Sequence, residues 1–135
     1  MKKLCPCGSG QTYDECCGSI ISSKKEAATC QELMRSRYTA FTMANVVYLM
    51  QSHYSCTRQV KERKNIQKWA RSVQWMGLVI INTQAGEVTD DIGYVEFRAL
   101  YLESGKMQQI HEKSLFKREN QKWVYVSGEH YNDSD

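Results

Sequence analysis

Cys5-Pro6-Cys7-Gly8-Ser9-Gly10 and Cys16-Cys17-Gly18 put four thiols within the first seventeen residues: a C-x-C pair, a gap of eight, then a C-C pair. Thiolates are soft ligands, and two close pairs joined by a short turn have the spacing of a tetrahedral Zn²⁺ site, which structural proteins close with four ligands of their own. Gly8 and Gly10 let the chain bend sharply after the first pair. Pro6 narrows the backbone between the first two thiols. A segment this short cannot bury a core, so ion binding would have to supply its folding free energy, of order 10–16 kcal/mol for structural zinc. The competing chemistries are a disulfide, a redox pair and an iron–sulfur cluster held by four thiolates. Met1-Lys2-Lys3 is charged but no apolar signal-peptide stretch follows it, which points to the reducing cytoplasm and to metal over cross-links. Adjacent Cys16 and Cys17 are also poorly placed to bridge each other. Cys30 and Cys56 lie outside the cluster and are expected to be reduced, small and partly buried.

The elements that must carry this cluster come next. The chain has 135 residues, ordinary hydrophobic content and a net charge of +3. That suffices for one compact domain beyond the cysteine segment. No run approaches the ~18 apolar residues of a membrane helix. The pattern predicts a helix over 31–44 with Thr29 as N-cap and Glu32 at capping-box spacing. Leu33, Met34, Arg37, Tyr38 and Phe41 share its inner face. Val46 to Met50 reads as a second helix, and Arg58 to about Ala70 as a third, capped by Thr57 and anchored by Ile66, Trp69 and Val60. From Val73 the period changes to two. Strands are expected over 73–82, 92–102, 106–118 and 122–126, with turns at Thr83 to Glu87, Ser104-Gly105 and Glu119-Asn120-Gln121. Helices followed by a long-stranded antiparallel meander make an α+β fold, with the helices capping a curved sheet.

Two resemblances follow from these residues. Cys5-Pro6-Cys7-Gly8-Ser9-Gly10, Tyr13 and Cys16-Cys17-Gly18 resemble the SEC-C motif, the small zinc-binding element at the C-terminus of the SecA translocation ATPase. That ATPase ends its motif in Cys-His, whereas this chain has Cys-Cys. The resemblance implies Cys5, Cys7, Cys16 and Cys17 as ligands of one structural Zn²⁺, with Tyr13 packing over the loop. Blocks farther on are similar to the bacterial YchJ-like family: Leu33 to Phe41, Trp75-Met76-Gly77-Leu78, Glu112 to Phe116 and Trp123 to Gly128. This implies an NTF2-like cone of about three helices on a four-stranded sheet. The expected organisation is a SEC-C element over 1–22, a connector over 23–30, an NTF2-like domain over 31–130 and an acidic tail over 131–135. In that view the metal element is an appendage on the cone.

NTF2-like cones often hold a pocket between helices and sheet. Alternation on the third strand turns Ile110, Glu112, Ser114 and Phe116 inward and His111 outward. A buried carboxylate is expensive unless paired, and an Arg37–Glu112 ion pair is the expectation. His53 ends the second helix, where it could face the cone mouth. Trp75 completes the candidate pocket of Arg37, His53, Trp75, Glu112 and Ser114. His130 is placed in the tail. No Ser-His-Asp order, HExxH, Walker loop or GxGxxG is present, and only sequence proximity links Cys56 to His53. Four thiolates leave a zinc ion no open position for water.

The sequence therefore favours a binding protein over an enzyme. Its first reading is a protein-interaction module acting through the SEC-C element, which in the translocation ATPase docks a chaperone and touches phospholipid. The alternative is a ligand-binding or catalytic cone with structural zinc. A knuckle that projects freely would favour the first; a deep pocket beside Glu112, Ser114 and His53 would favour the second. The basic stretch Arg58 to Arg71 reads first as a solvated helix face, with nucleic acid or acidic lipid as weaker partners.

Overall fold

The computed structural model describes residues 3–131. One antiparallel sheet runs in the order β1 (Gln74–Ala85), β2 (Ile92–Glu103), β3 (Lys106–Glu119), β4 (Lys122–His130). Ahead of it come α1 (Cys17–Ile21), α2 (Cys30–Thr42), α3 (Val46–Gln51), a 3-10 turn (Val60–Glu62) and α4 (Arg63–Ser72). Among the described residues no helix is long and apolar enough to cross a membrane.

Local chemistry accounts for the boundaries. The Thr29 side chain accepts from the Glu32 amide at 3.2 Å, and Glu32 Oε1 accepts from the Ala28 amide at 3.3 Å. The reciprocal box is thus closed one residue upstream of its usual place. α2 stops at Thr42, earlier than its apolar pattern suggests, because Ala44 turns left-handed at φ 51° and Asn45 caps α3 by accepting from the Tyr48 amide. The hairpins at Ser104-Gly105 and Asn120-Gln121 have positive φ at both central residues. Such turns match the twist of the strands they join.

Several expectations are corrected. Thr57 caps no helix: its hydroxyl donates to Val126 O at 2.7 Å, and the third helix begins only at Arg63. Val60 is 50 % exposed and anchors nothing, while Ala70 is the buried residue of α4. β1 continues to Ala85. β4 continues to His130, so His130 lies in a strand paired with Glu112. Asp133 and Asp135 of the acidic tail lie outside the described residues.

β2 turns Val95, Phe97 and Ala99 inward against Leu33, Met34 and Tyr38 of α2, with Phe116 and Trp123 completing the layer. Register shifts near Gly77, Asn82 and Phe116 mark irregularities of the kind that bend a sheet. Cys5, Cys7 and Cys17 belong to this same buried cluster. The cysteine segment is therefore packed into the cone and is not an appendage. Cys30 is buried as expected, whereas Cys56 is exposed.

Cys30 packs against the neck of the β1–β2 connection, where its amide donates to Gly86 O at 2.9 Å and the Gly86 amide to Ile92 O at 3.1 Å. A Cβ added at Gly93 would meet Gly86 N at 2.7 Å and Cys30 Sγ at 2.8 Å. Backbone cannot yield as a flexible side chain does, so Gly93→Ala should lower unfolding stability by about 1–3 kcal/mol. Urea denaturation reads this directly, and an unchanged midpoint would show that the approach of Gly86, Gly93 and Cys30 is loose.

Candidate metal centre and cone cavity

The N-terminal segment folds as a small knuckle. Leu4 bridges Thr12, the Cys5 amide donates to Gln11 O at 2.8 Å, and Gly8 and Gly10 take φ of 81° and 86°. All four Sγ atoms of Cys5, Cys7, Cys16 and Cys17 lie within 4.8 Å of one another. Cys7 Sγ is 3.7 Å from Cys16 Sγ, and Cys16 Sγ is 3.9 Å from Cys17 Sγ. A tetrahedron with metal–sulfur bonds of about 2.3 Å has edges of about 3.8 Å, so the donor set fits a closed four-thiolate metal site. The Cys7 thiol is held down to about 4, chiefly by a hydrogen bond from Cys17, and Cys17 is pushed up in turn. Ser9 Oγ lies 3.2 Å from Cys16 Sγ.

Two residues of α2 hold the knuckle from the cone side. Arg35 Nη1 donates to Cys7 O at 2.7 Å, and Thr39 Oγ1, fully buried, lies 3.7 Å from Cys5 Sγ. Sequence reasoning missed both, because nothing in their spacing ties them to a cysteine thirty positions away.

A cavity of about 540 Å³ lies between the concave sheet face and helices α2 to α4. Arg37, His53, Trp75, Glu112 and Ser114 all line it. Its apolar wall is aromatic: the Trp75 ring is 5.4 Å from Trp69 and 5.8 Å from Tyr38 and from Phe41. The expected Arg37–Glu112 ion pair does not form. Arg37 Nη1 donates instead to Leu49 O at 2.8 Å and Ser52 Oγ at 2.7 Å. Tyr125 stands between the two charges. Its ring lies 4.7 Å beneath the guanidinium, and its hydroxyl donates to Glu112 Oε2 at 3.1 Å. Ser114 Oγ also donates to Oε2, at 2.5 Å, and His130 Nε2 lies 3.2 Å from Oε1.

Position 128 makes this possible, since a Cβ there would collide with the Glu112 carboxylate. Glycine inside a strand commonly marks such a close approach. That was the available signal for Gly128, hidden because the strand was expected to end at Val126. Tyr125 fell inside the expected strand 122–126, but strand alternation does not show that its ring would come between Arg37 of α2 and Glu112 of β3. His53 reaches the cavity because residues 52–54 pair with the edge of β4: the Tyr125 amide donates to Ser52 O and the Tyr54 amide to Tyr125 O. His53 Nε2 lies 3.1 Å from Thr57 Oγ1 and is not engaged by Cys56. His111 faces the other side of the sheet and meets Glu96 at 2.7 Å. Lys61, Arg63, Lys64, Lys68 and Arg71 are exposed, while Arg58 turns back onto His53 O.

A four-thiolate knuckle packed on an NTF2-like α+β cone defines the class of protein. The SEC-C motif matches residues 1–19, and the family described as YchJ, middle NTF2-like domain, matches residues 29–128. The chain belongs to this YchJ-like family. It is 38 % identical over 128 residues to a UPF0225 protein of Geobacter sulfurreducens, covering 95 % of this chain and 80 % of that one. It is 42 % identical over 130 residues to a UPF0225 protein of Photorhabdus laumondii, covering 95 % and 81 %. The UPF0225 protein YchJ of Shigella dysenteriae is 39 % identical over 129 residues, covering 95 % and 84 %. The solution structure of a SEC-C motif containing protein from Rhodopseudomonas palustris is similar at a TM-score of 0.85 and 29 % identity, over 95 % of this chain and 98 % of that one. A crystal structure of a SEC-C motif containing protein from Psychrobacter arcticus shares the fold at a TM-score of 0.79 and 23 % identity, over 97 % and 84 %.

Burial governs protonation in the cavity. Desolvation lowers Arg37 to about 10, so it stays charged at neutral pH. Burial and the neighbouring Glu112 push Tyr125 up, which keeps its hydroxyl a donor. Desolvation first, then the charges of Arg37 and Arg58, push the His53 imidazole from 6.5 down to about 4. An unfolded His binds a proton below about 6.5 and native His53 only below about 4. Between those values the unfolded state holds more protons, so the His53 contribution to stability falls as pH falls. His53→Gln should therefore lose less stability than the native chain between pH 6.5 and pH 4, the gap changing by roughly 1–3 kcal/mol. Parallel pH-dependent melting curves would disprove this.

Proposed function

We propose that this protein binds a small molecule in its cone cavity, and that one structural zinc ion fastens the N-terminal knuckle to the helix forming the cavity roof. The observation that carries the reading is convergence. A buried charged Arg37, a neutral His53 and the carboxylate of Glu112 meet in one aromatic-walled cavity of about 540 Å³. Small-molecule sites are typically concave, about 300–1,000 Å³, mostly apolar, with a few converging polar groups. The reading as a partner-docking module is less well supported. Three of the four cysteines face the buried core, and Leu4 is the one exposed large hydrophobic residue of the knuckle among the described residues. The basic face of α4 is an ordinary solvated helix surface under this reading.

Zinc suits the four soft donors, and a site closed by four thiolates has no position for a reacting water. Its role is then mechanical. Arg35 and Thr39 of α2 hold the knuckle, while Arg37, Tyr38 and Phe41 of the same helix line the cavity.

Purified protein should carry one zinc per chain, and Cys7→Ser or Cys17→Ser should lose it. Chelation should lower Tm by about 10 °C or more. Metal analysis showing no thiophilic metal would refute the fastener. An NMR screen of small fragments against the zinc-loaded chain should find binders that move the signals of His53 and the Trp75 indole. Hits confined to other surfaces would rule out the cavity as the binding site.

A further inference from the structure

Arg37 is only 7 % exposed, yet the N–H groups of Nε and Nη2 meet no protein acceptor among the described residues. Both of its protein acceptors, Leu49 O and Ser52 Oγ, are met by Nη1. Neither Nε nor Nη2 is sealed from the cavity that Arg37 lines. These two nitrogens form one edge of the guanidinium, the planar fork that matches both oxygens of a carboxylate. Tyr125, 4.7 Å beneath, sets the plane of the fork. Glu112 does not fill it, because its oxygens already meet Ser114, Tyr125 and His130.

The open edge of Arg37 faces the cavity, where water can meet its donors, and an anion arriving there would exchange that water for a charge-assisted pair with a mostly desolvated cation. The surroundings narrow the anion. Arg37 is the one Lys or Arg among the lining residues, and His53 is neutral at pH 7. One positive charge beside Glu112 suits a monoanion better than a phosphate. The remaining wall, where the Trp69 and Trp75 rings meet edge to face with centroids 5.4 Å apart, offers an apolar aromatic corner to a ring.

We propose that the cavity takes a small aromatic monocarboxylate, its carboxylate held by Nε and Nη2 of Arg37 and its ring lying against Trp69 and Trp75. This assignment rests on the ligand-binding reading above and names the class of ligand.

Phenylacetate, 2-phenylethanol and 2-phenylethylamine share a ring and chain length but carry a negative, a neutral and a positive head. Each would be titrated into the zinc-loaded full chain, following amide and indole signals. Phenylacetate should shift the Trp69, Trp75 and Arg37 signals and bind at least about tenfold more tightly than 2-phenylethanol, as expected for a charge-assisted bidentate pair. Arg37→Lys keeps the charge and loses the fork, and should cut the preference for phenylacetate over 2-phenylethanol by about tenfold. The comparison of probes on the native chain decides the matter even if that variant fails to fold. Equal binding of phenylacetate and 2-phenylethanol at the cavity would overturn the carboxylate assignment and leave the ligand-binding reading standing. No binding of phenylacetate overturns it as well, and the fragment screen then decides separately whether the cavity binds anything.

Discussion

A guanidinium buried under a curved sheet sets the terms for the rest of this fold. Removing an ion from water costs several kcal/mol even after relaxation. Arg37 recovers part of that through a carbonyl in the last turn of α3, the Ser52 hydroxyl and the face of Tyr125. Each of those partners must then be held in place. Ser52 and Tyr54 are locked onto the edge of β4 by backbone hydrogen bonds, and Tyr125 is braced by Glu112, which needs Gly128 beside it. Helix, loop and two strands are thus ordered around one charge, and one edge of the guanidinium is left facing the cavity.

Helix α2 joins this arrangement to the metal knuckle. It is one rigid element with two working faces. Arg35 and Thr39 address the cysteine loop, while Met34, Arg37, Tyr38 and Phe41 address the cavity. Burial of Cys5, Cys7 and Cys17 within the cone's own core extends the hydrophobic layer across the junction. A segment too short to fold alone gains both an ion site and a packed neighbour, and the cone gains a cover for one side of its longest helix.

The thiol cluster was legible because metal ligation constrains residue type and spacing together. C-x-C, a glycine-rich turn and C-C can be read without knowing what surrounds them. Inward-facing Glu112 and Ser114 were legible from the two-residue period of β3, and Arg37 from the helical period around Leu33 and Phe41. The pairing of Arg37 with Glu112 was wrong for a physical reason: two opposite charges near one another need not touch when each has nearer, neutral partners. Tyr125 supplies such a partner to both. Its place in the expected strand was legible, but not that it would meet a helix residue and a carboxylate of the neighbouring strand. Gly128 went unnoticed because Ser127-Gly128 looks like a strand end, whereas glycine there makes room for that carboxylate.

Periodicity, turn residues and ligand spacing act over a few neighbours, so the chain alone determined the α+β order of elements, the tight hairpins, the inward faces of α2, β2 and β3, and the set of four thiols. Tertiary structure decided what depends on elements far apart in sequence. It set the packing of the knuckle on Arg35 and Thr39, the extension of β4 to His130, the docking of His53 against that strand, and the unfilled edge of Arg37. These are settled by which surfaces meet and what each buried polar group finds there, and local sequence carries no record of either.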